Sequence, residues 1–168
     1  LPPPLSVGQS STLKVGQWVK CKGVPQRDQA ILCTESKILT GDFMDDDWGI
    51  AGLVRRVDAK AKAVTIFRYL TRMRDNADYQ SDATGFKEFS DITSGMYLDI
   101  EGTYLKDGSF LAEEIEDKTD RLVKKPYLKN EVMVQGKIEK LDPARRTLTV
   151  MGAAFILTDK TQTKSVLK

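Results

Sequence analysis

The chain has 168 residues, 40% hydrophobic and 30% charged, with a net charge of +2. That composition is too apolar for a disordered chain and too near neutrality to attract nucleic acid or an anionic membrane by charge alone. No apolar run approaches the roughly 20 residues of a membrane-spanning helix, and the absence of histidine removes the commonest general base and the commonest metal ligand.

The chain opens at Leu1 rather than Met. Pro2, Pro3 and Pro4, followed by a Gly/Ser-rich run to Thr12, read as a linker (residues 1–12) below a removed export signal or an upstream lipid anchor. A segment trimmed from a cytoplasmic protein would begin the same way. Export carries an expectation of an extracytoplasmic home: periplasmic, envelope-anchored or secreted.

Residues 13–48 read as a hairpin followed by an acidic loop. The hairpin, residues 13–37, lies without a gap on residues 92–116. Gly16 falls on Gly95, Trp18 on Tyr97, Cys21 on Ile100, Gly23 on Gly102, Asp28 on Asp107 and Cys33 on Ala112. In the later copy Leu98 and Ile100 alternate with Asp99 and Glu101, the period of a half-buried strand. Lys106-Asp107-Gly108 supplies the turn, since Asp starts turns and Gly accepts positive φ. Gln29 stands where the first copy should carry the turn glycine, which argues against a tight turn at Pro25 to Gln29.

Residues 49–117 are expected to form a central unit. It begins with a second kind of hairpin, residues 52–67, which lies without a gap on residues 136–151. Gly52 matches Gly136, Val54 matches Ile138, Asp58 matches Asp142 and Thr65 matches Thr149. The two glycines mark a bulge or sharp bend. Residues 71–86 are polar, with few strand formers, and read as an inserted loop. Residues 118–130 read as a connection, with a helical turn near residues 119–123. Residues 131–168 then carry the second hairpin of this kind and a third strand at residues 155–158. With the two hairpin types called B and A, the order is B, A, B, A. The expectation is an all-β protein: two similar small antiparallel barrels, OB-like, five- to six-stranded, with either the last A unit completed by residues 13–39 or each B unit paired with its neighbouring A unit. Closure removes the strand edges of such small domains.

At this point Gly52, Val54, Val57, Asp58, Thr65, Ile66, Gly95, Leu98, Ile100, Gly102, Asp107, Gly108, Ala112 and Ile115 carry a pattern that resembles the bacterial domain of unknown function family 5666. A second copy of the pattern is split between residues 136–150 and residues 16–33. The resemblance implies exported β-barrel modules, often repeated, in envelope or secreted bacterial proteins. It implies no activity, so no functional residue is carried over.

Four sets of residues are candidate sites. Cys21 and Cys33 sit on opposite strands of one hairpin and point the same way by parity. They suit a cross-strand disulfide in an oxidising compartment, or two buried thiols filling core space. Asp42, Asp45, Asp46 and Asp47 form a carboxylate cluster of the kind that hard cations such as calcium use. The cluster lacks D-x-D-x-D-G spacing and a distal Glu, so a solvated acidic loop is the alternative, and no cofactor is expected. Arg55, Arg56, Arg68, Arg72 and Arg74, with Lys60 and Lys62, make a basic surface interleaved with Phe67 and Tyr69. Small barrels bind single strands that way, but the near-neutral chain disfavours nucleic acid. Trp18 and Tyr97 point outward by parity at equivalent places. With Trp48 they suit an interface, either between the two halves of the chain or with a protein or envelope partner. No nucleophile elbow, phosphate loop or zinc motif is present. The expected function is a non-catalytic extracytoplasmic binding or assembly module. A single-stranded nucleic-acid binder of the OB type is the first alternative and a small β-barrel hydrolase the second.

Overall fold

A computed structural model describes residues 6–7, 11–43, 47–81 and 85–167. The chain is all-β. From the N-terminus come β1 (Ser6–Val7), β2 (Ser11–Thr12), β3 (Trp18–Pro25) and β4 (Ile31–Thr40). Then follow β5 (Trp48–Asp58), β6 (Ala63–Ile66), β7 (Tyr69–Ser81), β8 (Tyr97–Tyr104) and β9 (Phe110–Asp117). A one-turn helix α1 (Arg121–Lys124) and a 3-10 turn at Pro126–Asn130 lead to β10 (Val132–Asp142), β11 (Thr147–Val150), β12 (Ala153–Ile156) and β13 (Gln162–Leu167). No helix among the described residues is long and apolar enough to cross a membrane.

The chain divides into two compact units, Leu1–Met44 with Met133–Lys168, and Asp45–Val132. In the contiguous unit the pairings form a circuit: β5 with β6, β6 with β7, β7 with β9, β9 with β8, and β8 back to β5. All are antiparallel except β7 with β9. Ile66, Tyr69, Leu98, Ile100, Phe110 and Ile115 are buried inside it. Each aliphatic side chain so buried contributes about 1.5–3 kcal/mol relative to exposure.

The other unit draws on both ends of the chain. β10 pairs with β11, β11 with β12, β12 in parallel with β4, and β4 with β3. β3 returns to β10, where the Gly16 amide donates to the Ile138 carbonyl at 2.8 Å and the Ile138 amide to the Gln17 carbonyl at 2.9 Å. β13 also runs parallel to β4. Val19, Ile31, Ile138, Leu148 and Phe155 are buried here.

The registers of the two units follow one pattern. Val54 pairs with Ile66 and Ile138 with Val150, each ladder slipping by a bulge before Arg56 and Lys140 respectively. Thr71 pairs with Phe110 and Phe155 with Ile31; Asp78 pairs with Glu114 and Gln162 with Glu35. The Gly95 amide donates to the Val54 carbonyl at 2.9 Å, as Gly16 does to Ile138.

Two local expectations are corrected. The polar stretch read as a loop at residues 71–86 is mostly β7, which runs to Ser81. Its backbone is held by the parallel ladder to β9, with a register shift between Met73 and Asp78, and Asn76 takes φ 61° there. Tertiary pairing overrides weak strand propensity. The turn at Gln29 is tight after all. Gln29 takes φ 69°, where Gly108 takes 88°. The Gln26 amide donates to the Ala30 carbonyl at 2.7 Å, as Leu105 does to Ser109 at 2.9 Å. Asp28 Oδ1 accepts from the Ala30 amide as Asp107 Oδ1 accepts from Ser109.

Candidate binding surface

Each unit has a groove on its outer face, beside the β5–β6 turn in the contiguous unit and the β10–β11 turn in the other. In the contiguous unit the groove is about 510 Å³, lined by Arg56, Asp58, Lys60, Ala63, Thr65 and Leu70. In the other it is about 400 Å³, lined by Lys140, Asp142, Arg145, Thr147, Thr149 and Ala154 among others. Under the gapless alignment of residues 52–67 on 136–151, Arg56 coincides with Lys140, Asp58 with Asp142 and Thr65 with Thr149. The bulge in the first strand turns its end outward, so that Arg55, Arg56 and Val57 are all exposed. The two aspartates hold the turns: Asp58 Oδ1 accepts from the Ala61 amide and Asp142 Oδ1 from the Arg145 amide, each at 3.2 Å. What remains for a ligand is a cation, a threonine ridge and apolar patches, including Leu70 at 45% exposure.

Arg72 on β7 pairs with Ala63 of the groove wall. Its Nη2 donates to Ser109 Oγ at 3.2 Å and lies 3.9 Å from Asp107 Oδ2. Hydrogen bonds from the Ser109 hydroxyl and amide hold the Asp107 carboxyl below its usual range. Asp28 and Ala30 take those places in the other unit and line its groove directly. A second hollow of about 540 Å³ in the contiguous unit is lined by Val57, Ala59, Lys62, Glu88, Phe89 and Ile92. A smaller one of about 280 Å³ gathers Asp47, Asp78, Glu101, Glu113 and Glu114 around Arg74. Arg74 Nη1 donates to Glu113 Oε1 at 2.8 Å.

The basic residues singled out in the sequence therefore separate. Arg55, Arg56, Arg68 and Arg74 are exposed and Arg72 is half-buried, and Arg72 and Arg74 each lie against an acidic side chain. Tyr69 is 2% exposed, with Phe67 edge-on to it at 6.0 Å, so the interleaved aromatics serve packing rather than a stacking platform. Trp18 is buried, 5.5 Å from the Phe43 ring, with Lys137 Nζ 5.7 Å from its own ring. Tyr97 is also buried, and burial pushes its phenol up to about 12. Trp48 is half-buried, 5.6 Å from Tyr104. Of the acidic cluster, Asp45 and Asp46 lie outside the described residues. Asp42 is exposed and Asp47 half-buried. Among the described residues no group of three or more His, Cys, Asp or Glu is arranged to hold a metal ion.

Cys21 and Cys33 are free thiols, both buried. Leu70 and the equivalent threonines Thr65 and Thr149, one in each groove, were not singled out as a site from sequence. The alignment already placed the threonines at matching positions, but nothing in the sequence distinguished a groove wall from an ordinary outer face.

These features define an all-β protein with open grooves on the surface of each of its two units. Residues 62–116, all within the contiguous unit, match the family described as Domain of unknown function (DUF5666), the family that the sequence motifs resemble. Neither the search of curated proteins nor the search of solved structures returned a match.

Proposed function

We propose that the chain is a non-catalytic extracytoplasmic binding or assembly module. In this proposal it is built from two copies of one OB-like β-barrel unit, each engaging an envelope polymer or protein through its outer groove. The single observation that carries the proposal is the recurrence of one groove, with a cation, a turn aspartate and a threonine at matching positions, in two units of matching register. A groove built only by packing accident has no reason to recur. The resemblance to an exported family supports the extracytoplasmic part, and cell fractionation in the source organism tests it directly.

The strand circuit of the contiguous unit, first–second–third–fifth–fourth, also favours a second function, single-stranded nucleic-acid binding. OB folds present ligands on the second and third strands. Against it stand the net charge of +2 and the buried Tyr69.

Amide NMR titration separates the two. The probes are peptidoglycan fragments, polygalacturonate and a mixed-sequence single-stranded oligodeoxynucleotide. The proposal expects one of the first two to shift the Thr65 and Thr149 amides together, and Arg56→Glu with Lys140→Glu to abolish the shifts. Salt-sensitive shifts with the oligonucleotide alone would favour the second function. Shifts at neither threonine with any probe would contradict groove binding.

A further inference from the structure

We propose that Cys21 and Cys33 are a redox modification site, closing to an intramolecular disulfide across the β3–β4 hairpin when a disulfide-class oxidant is supplied. The proposal is independent of what the grooves bind. In the hairpin Cys21 pairs with Ser36 and Gly23 with Cys33, with a bulge between. The bulge brings two inward residues of opposite strands into one cluster. Cys21 is 0% and Cys33 2% exposed. Cys21 Sγ lies 3.8 Å from Ser36 Oγ, and the Cys33 thiol donates to the Glu35 carbonyl at 3.3 Å. The Cys33 thiol is pushed far up by the neighbouring Cys21 thiol and by burial.

The other unit shows what this cluster replaces. Under the gapless alignment of residues 13–37 on 92–116, the matching positions are Ile100, Ala112 and Ile115, all fully buried. Two thiols and a hydroxyl stand where aliphatic packing otherwise suffices. Both isoleucines are replaced by smaller side chains, and Ala112 by the larger Cys33.

In the closing step one cysteine sulfur attacks the oxidant's disulfide and releases one thiol. The second cysteine sulfur then attacks the mixed bond and releases the other. The protein loses two hydrogens, and the oxidant's S–S bond becomes two thiols. Burial slows direct attack on the native fold, so the test gives the pair access during folding.

The full chain is unfolded in denaturant with reductant and refolded in a glutathione redox buffer. It is then denatured, alkylated with iodoacetamide and weighed by mass spectrometry. The expected product carries no alkyl group and no glutathione. It melts roughly 5 °C above the same protein after reduction. Two alkyl groups, or a retained glutathione adduct, would overturn the proposal, as would equal melting temperatures for oxidised and reduced protein. Cys33→Ala, which restores the residue type of the other unit, is the control. It should fold, take up one alkyl group at Cys21 and melt at the same temperature with and without reductant.

Discussion

A Cβ placed on Gly102 would stand 2.0 Å from the carbonyl oxygen of Leu111, across the β8–β9 ladder. Gly23 has the same relation to Leu32, at 2.3 Å. Both glycines sit beside the bulge of their hairpin, where the bent strand brings backbone against backbone. Gly102→Ala should therefore destabilise the protein by about 3 kcal/mol through overpacking. Gly23→Ala should do the same. Urea melts check both, and a loss below about 1 kcal/mol at either site would contradict the close approach.

Gln29 offers the opposite test. It holds φ 69° at the place where Gly108 sits. A non-glycine residue in that left-handed region is strained by about 1–2 kcal/mol, partly offset by the backbone entropy that glycine loses on folding. Gln29→Gly should stabilise the fold by about 0.5 kcal/mol, read as a higher urea midpoint. Gly108→Gln should destabilise it.

Stability should respond to acid through Glu35. Burial acts to raise its pKa, but Lys22, Lys37 and Lys164, at 3.7, 3.6 and 3.4 Å, together hold the carboxyl below its usual value. A carboxyl depressed in the folded state stabilises above its unfolded pKa of about 4.3. That contribution is lost as pH falls through the lower folded value. The melting temperature of the wild type should thus drop more between pH 6 and pH 3 than that of Glu35→Gln. Parallel curves would rule out the lysine cluster as the cause.

Alternation and turn chemistry made much of the architecture legible in the sequence. The hairpin read around Lys106-Asp107-Gly108 is β8 and β9, with the turn in place. β7 was not legible, because Arg74, Asp75 and Asn76 are exposed and the strand is held by its partner rather than by its own side chains. Parity placed Trp18 and Tyr97 outward but could not say what covers them. Phe43 and Lys137 cover Trp18, and both come from far along the chain. The grooves escaped for a related reason. A bulge before Arg56 exposes three consecutive residues, and no two-residue period predicts that.

The proposed duplication makes residues 45–132 one complete copy of the unit, with the other copy assembled from both ends of the chain. The most direct measurement is an amide NMR spectrum of residues 45–132 produced alone, overlaid on that of the full chain. The account predicts a dispersed β spectrum in which the Leu98, Ile100 and Ile115 amides keep their positions, with one cooperative melt. A collapsed, undispersed spectrum would contradict it.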